Sequence, residues 1–271
     1  MIGDDTALIA PLKAMVEGAP PYIFAAAGVF ARVGAALFFL PGIGEMAVPM
    51  RLRLAIALAI AVVLAPIVAG FAPVAPLTPG TLTIVLIAEA GAGLVIGLSF
   101  RLLIHALQIA GTVASQSVTI SHLFGNAIAG EAEPSLASFL AMGGVAVALA
   151  AGLHVDAVAA LATLYDVLPF GLGLAGGPVA EWSTARVGET FALGLGLAIP
   201  FVLAGFAYNM ALGALSRAMP QLLVALVGVP FLVGLGMAVL WLALPEIFAR
   251  WLEALAIIAD NPLAGPFGRG S

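Results

Sequence analysis

Few residues of this chain can do chemistry, and those that can are set among long apolar runs. Arg32, Glu89, Arg101, Glu189, Arg217 and Glu246 each interrupt or border such a run. A charge near mid-bilayer is costly, so it is paired across helices, carried to the membrane edge by a long side chain, or used as an ion or proton site. Glu89, about eight residues into its segment, is the carboxylate that a transporter or channel would use. The histidines His105, His122 and His154 are far apart, form no HExxH or HxxxH pair, and have no cysteine to help them. His154 and Asp156, two residues apart, fall on different helix faces, so no metal site is indicated. Ser99, Ser117 and Ser216 lack a nucleophile elbow, and no phosphate or dinucleotide loop occurs. No enzyme activity and no cofactor are expected.

The elements that must hold these residues are membrane helices. The 271 residues are 63% hydrophobic and only 8% charged, against roughly a quarter charged in soluble domains. Charge-free runs cover Leu54 to Ala88, Leu102 to Gly130, Pro134 to Val155, Thr190 to Ser216 and Ala218 to Pro245. A bilayer core takes about 20 apolar residues per helix. Six hydrophobic segments are expected, at 22–40, 52–70, 82–104, 136–153, 190–212 and 222–245. Stretches such as LAIALAIAVVLA do not alternate, which excludes a β-barrel. The fold class is therefore all-α, a polytopic helical membrane protein with helices broken by Pro and Gly.

The start, MIGDDTALIAPLK, places two aspartates before its first lysine and has no compact apolar core, unlike a secretory signal peptide. A net charge of −5 with a single Lys argues against a nucleic-acid surface. Cationic residues divide evenly between the two sides of a six-span topology, so the positive-inside rule gives no orientation.

Gly and Pro punctuate the chain at Pro41–Pro49, at 71–80, across the polar interval 115–135, and at 169–182. Proline fixes φ and its predecessor avoids the α region. The first helix should therefore stop or bend near Pro41, and the next should start near Pro49. From Thr81 to about Ala114 the pattern is one long helix, with Arg101, His105 and Gln108 on one face. Gly93 and Gly97 have the spacing that lets membrane helices approach closely. The interval SQSVTISHLFGNAIAGEAEPS could be a surface loop or a segment folded into a protein interior.

Four blocks, in order, carry a resemblance to a known family. The first is Arg32, Pro41, Val48-Pro49, Arg51, Arg53 and Pro66; the second is LLIHALQIAGTVASQSVTIS. The third joins Gly152-Leu153-His154 to Tyr165-Asp166-Val167-Leu168-Pro169-Phe170-Gly171. The fourth contains Pro200, Ser216-Arg217-Ala218, Pro220-Gln221 and Gly228-Val229-Pro230. Together they resemble the flagellar biosynthetic protein FliR family, export-gate subunits of type III secretion systems. Two departures stand out: a residue separates Gly152 from His154, and Glu133-Pro134 replaces the more usual Asp-Pro.

The resemblance implies one subunit of a multi-subunit helical gate with FliP and FliQ, associated with FlhB and the flagellar basal body in the bacterial inner membrane. It would pass unfolded export substrates. Residues 1–180 would be the FliP-like portion and 181–271 a FliQ-like helix pair with a short tail. The interval 115–135 would plug the closed pore, through Ser117, Thr119, Ser121, His122, Phe124, Gly125, Asn126 and Gly130. Arg32, Arg51, Arg53, Arg217 and Gln221 are expected to contact other subunits.

Overall fold

The computed structural model describes residues 21–68, 78–119, 135–218 and 224–263. They form seven α-helices, with no strand among the described residues. These are α1 (Pro21–Phe39), α2 (Met50–Val68), α3 (Pro79–Thr119), α4 (Ser135–Ala150), α5 (Leu153–Val167), α6 (Gly176–Ala218) and α7 (Val224–Asp260). The expected all-α architecture is present, and its breaks follow the backbone chemistry. α1 stops just before Pro41, Gly42 takes a left-handed φ of 86° to turn the chain, and α2 starts directly after Pro49. Pro66 and Pro200 are accommodated inside α2 and α6, as membrane helices allow.

Among the described residues three helices are long and apolar enough to cross a bilayer, Met50–Val68, Pro79–Ser117 and Gly176–Leu215, and the pair Leu136–Ala150 and Leu153–Val167, bent by 71°, would make a fourth if it forms one span. In the three long helices between 28% and 33% of the apolar window is buried inside the chain. Most of that apolar surface therefore needs lipid or other proteins to cover it, as for Leu54, Leu58 and Val62 on α2 and Phe191, Leu195 and Phe206 on α6. This is a polytopic helical membrane protein.

The structure departs from the six expected segments in three places. α5 is a separate helix of 15 residues, too short to be found by looking for spans. It buries Leu153, Ala157, Ala160, Leu161 and Leu164 at helical spacing. α6 begins at Gly176, inside the stretch expected to break the chain, and α7 runs on to Asp260. Both extensions carry charges that pair along the helix: Arg186 with Glu189 at 3.2 Å and Arg250 with Glu246 at 2.6 Å.

The chain forms two compact units. The first takes the described residues within 1–101, 152–184 and 258–265. In it α2 packs along α1, and Gly93 and Gly97 of α3 meet the backbone of α1. A Cβ on Gly93 would fall on the carbonyl oxygen of Arg32, and one on Gly97 on that of Ala36. Small residues thus bring two backbones together within one chain.

The second unit takes the described residues within 102–151 and 185–257. Its helices also meet at glycines: Gly111 against Ala137, and Gly205 with its Cβ position 2.6 Å from the carbonyl oxygen of Ser117. Trp251, 1% exposed, donates its indole N–H to the Leu103 carbonyl at 2.8 Å. A large apolar ring is thereby buried without leaving its polar atom unpaired.

Candidate functional site: a buried charge cluster

Arg32 and Glu89 have no exposed surface. Gly28, Arg32 and Ala36 line one face of α1, and Glu89, Gly93 and Gly97 one face of α3, each at four-residue spacing. The close approach at Gly93 and Gly97 places guanidinium and carboxylate between the helices. Arg32 Nε donates to Glu89 Oε2 at 2.8 Å and Nη2 donates to Oε1 at 3.2 Å, a two-armed pairing of planar groups.

Two further donors complete the carboxylate. The Tyr165 hydroxyl, near the end of α5, donates to Oε2 at 3.0 Å, and the Gly171 N–H donates to Oε1 at 2.8 Å. Arg32 Nη2 also donates to the Leu168 carbonyl at 3.0 Å. Its guanidinium carbon lies 3.7 Å from the centre of the Tyr165 ring, an attraction that strengthens where water is excluded. That contact partly compensates Nη1, which has no hydrogen-bond partner among the described residues. Tyr165 stacks on Phe170, ring centres 6.5 Å apart, and Phe170 fills the space where Gly28 has no side chain. Gly171 turns with a left-handed φ of 75°, which favours glycine and aims its N–H at Glu89.

The cluster therefore ties the turn at 168–171 to α1 and α3. It corrects two expectations. Arg32 does not present itself to other subunits, because its guanidinium is consumed inside its own chain. Glu89 is not an open ion or proton site, because four donors occupy its two oxygens. Tyr165 and Gly171 were not anticipated as partners. The usable signal was a tyrosine at the end of an apolar stretch, whose hydroxyl must find a partner when buried.

The other candidate residues are placed as follows. Arg53 turns back on its own loop, donating to the carbonyls of Val48, at 3.1 Å, and Glu45. Arg101 pairs with the Glu45 carboxylate at 2.5 Å. His105 Nδ1 lies 2.7 Å from Gln108 Oε1, joining two members of the predicted polar face. Arg51, His154 and Arg217 are exposed. Ser117 is still helical, its hydroxyl donating to the Val113 carbonyl at 2.8 Å, the i−4 bond that a helix accommodates. Thr119 closes α3. Ser121, His122, Phe124, Gly125, Asn126, Gly130 and Gln221 lie outside the described residues. Among the described residues no three His, Asp or Glu side chains gather as metal ligands would.

Among the described residues the fold is that of an all-α polytopic membrane protein, with Arg32 and Glu89 buried against each other. The chain belongs to the bacterial export proteins, family 1, whose family model matches residues 23–257. It is 34% identical over 239 residues to the flagellar biosynthetic protein FliR of Caulobacter vibrioides, covering 88% of this chain and 95% of that one. The FliR of Aquifex aeolicus is 30% identical over 220 residues, 80% of this chain and 83% of the relative. That of Pectobacterium carotovorum is 28% identical over 242 residues, 85% and 90%.

Proposed function

We propose that the chain is an integral-membrane subunit of the flagellar type III protein export gate. It forms part of the gated pore through which unfolded substrates cross the bacterial inner membrane at the flagellar basal body. The observation that carries this reading is the family match over residues 23–257, with relatives named flagellar biosynthetic protein FliR along 80–88% of the chain. The partners that go with it are FliP and FliQ, with FlhB beside them. Residues 1–180 play the FliP-like part and 181–271 the FliQ-like part. Apolar helix faces left uncovered by the chain itself support a role among other helices.

The mechanism is passage without bond-making. The interval 118–133, which starts in the last residues of α3 and ends just before α4, acts as the plug of the closed pore. Phe124 is its apolar stopper, and Gly125 and Gly130 lower the backbone cost of displacing it. A gap of a few kcal/mol keeps the closed state dominant. Deleting 120–131 tests this directly. Raised ion leak across the inner membrane and altered flagellar export are expected; unchanged leak together with unchanged export would sink the plug. The rival reading, a solute carrier working through Glu89, loses its carboxylate to the Arg32 cluster.

A further inference from the structure

α3 keeps an unbroken polar stripe along a segment that is otherwise apolar. Within the second unit it carries His105, Gln108, Thr112, Ser115 and Gln116, with no Asp, Glu, Lys or Arg from Leu102 to Thr119. At about 100° per residue these five fall inside one arc of about 100°, which no apolar residue of 102–117 shares. From His105 to Gln116 the stripe covers about 16 Å of helix. Ser117 lies off the stripe, and its hydroxyl is spent on the Val113 carbonyl.

The packing leaves this face open. The opposite side of α3 is core, with Leu103, Ala106, Leu107, Ala110 and Ala114 buried. α6 closes one flank, where the Cβ position of Gly194 is 2.8 Å from the Ala106 carbonyl oxygen. α4 closes the other, at Gly111 and Ala137. Between them His105, Gln108, Thr112 and Ser115 are half-buried and Gln116 is exposed. The neighbouring surface is apolar, since α4 turns Phe139 and Met142 outward and α6 turns out Phe191, Leu195 and Phe206. Against hydrocarbon the polar groups would leave hydrogen bonds unmade, so they call for water. Bulk water on that side would wet the apolar flanks as well. A narrow aqueous seam satisfies both.

The residue types suit passage. With Nδ1 donating to the Gln108 carbonyl oxygen at 2.7 Å, neutral His105 keeps Nε2 as an acceptor. Amides and hydroxyls donate and accept alike, which matches the alternating donors and acceptors of an extended backbone. Lacking charge, the stripe holds no one substrate tightly, and a conduit must release what it admits.

We infer that His105, Gln108, Thr112, Ser115 and Gln116 form a hydrated wall of the conduit leading to the plug, against which the backbone of the passing polypeptide slides. The polypeptide comes from the gate reading; the hydration of the stripe does not depend on it.

The chain has no cysteine, so single cysteines report the local medium: the reactive thiolate forms where water reaches. In membranes from cells making the full chain, Gln108→Cys, Thr112→Cys and Gln116→Cys should react with N-ethylmaleimide about tenfold faster than Ile109→Cys and Val113→Cys. A polymer-linked maleimide too wide for a seam should label the stripe only after denaturation in detergent. Stripe thiols as slow as the flanking pair would overturn the inference. So would labelling by the polymer in intact membranes, which would mark open surface. For contact, a photo-crosslinking benzoylphenylalanine at position 112 should capture an export substrate stalled by a fused, stably folded domain. Adducts with lipid or other subunits alone would remove the polypeptide from the seam. A strain lacking the chain reads the gate separately: normal flagellar export there would overturn the gate and leave the labelling pattern standing.

Discussion

The carbonyl of Arg32 occupies the place where a Cβ on Gly93 would have to go. One helical turn away from Gly93, Glu89 holds the side chain of the same arginine. Close backbone packing and charge pairing are therefore one device: α1 and α3 can bury the pair because nothing larger than glycine stands between them. Either component should fail if the other is disturbed.

Removing one partner of the pair should cost more than removing both. Arg32→Leu or Glu89→Leu leaves an uncompensated buried charge, a loss of about 3–5 kcal/mol. The double variant Arg32→Leu/Glu89→Leu should lose much less than the two singles together. Thermal unfolding of the detergent-solubilised chain, run as a double-mutant cycle, measures the coupling. Additive losses would show that the two charges do not depend on each other.

Gly93→Ala and Gly97→Ala should each destabilise by about 1–3 kcal/mol, since the added methyl meets fixed backbone, not a flexible side chain. Gly188→Ala in α6 is the control: it is exposed, and a Cβ there meets nothing within 4 Å. That change should be neutral or stabilising by up to about 1 kcal/mol, the ordinary gain of alanine over glycine in a helix. Equal losses at all three sites would rule out close approach as the cause.

Tyr165→Phe should separate the hydroxyl from the ring. It deletes a hydrogen bond to a charged oxygen, about 1.5–3 kcal/mol, and keeps the surface beneath Arg32. Tyr165→Leu removes both and should cost more. The same unfolding assay ranks them, and identical stabilities would remove the ring from the account.

Trp251→Phe in the second unit should cost about 1 kcal/mol for the lost bond to Leu103, and Trp251→Ala about 3–5 kcal/mol for the cavity as well. Protease resistance of the second unit, compared between the two variants, reads the difference.

The apolar scaffold was legible because composition and proline placement act locally. Pro41 and Pro49 bracketed the first turn to within two residues, and the long helix through Arg101, His105 and Gln108 was anticipated with its polar face. What escaped were elements whose signal is not hydropathy. α5 carries His154, Asp156 and Asp166 beside its buried stripe. The ends of α6 and α7 are stabilised by ion pairs three and four residues apart, which lower the very hydropathy used to find them. Arg32 and Glu89 each stood out as charges among apolar residues. Their pairing spans 57 residues, and nothing local chooses Glu89 over the other carboxylates. Arg53 likewise bonds to the carbonyls of its own loop, a local contact that the sequence pattern did not distinguish.

The buried pair also sets an order of events during synthesis. Fifty-seven residues separate Arg32 from Glu89, about 3–11 s of elongation at ordinary rates of 5–20 residues per second. For that interval α1 carries a guanidinium whose partner does not yet exist, a burden of about 2.5–3.5 kcal/mol for a helix centred in lipid. α1 is thus a poor candidate for early release into the bilayer. It is better kept beside the insertion machinery until α3 emerges and discharges it, with Tyr165 and Gly171 sealing the carboxylate only once α5 has followed.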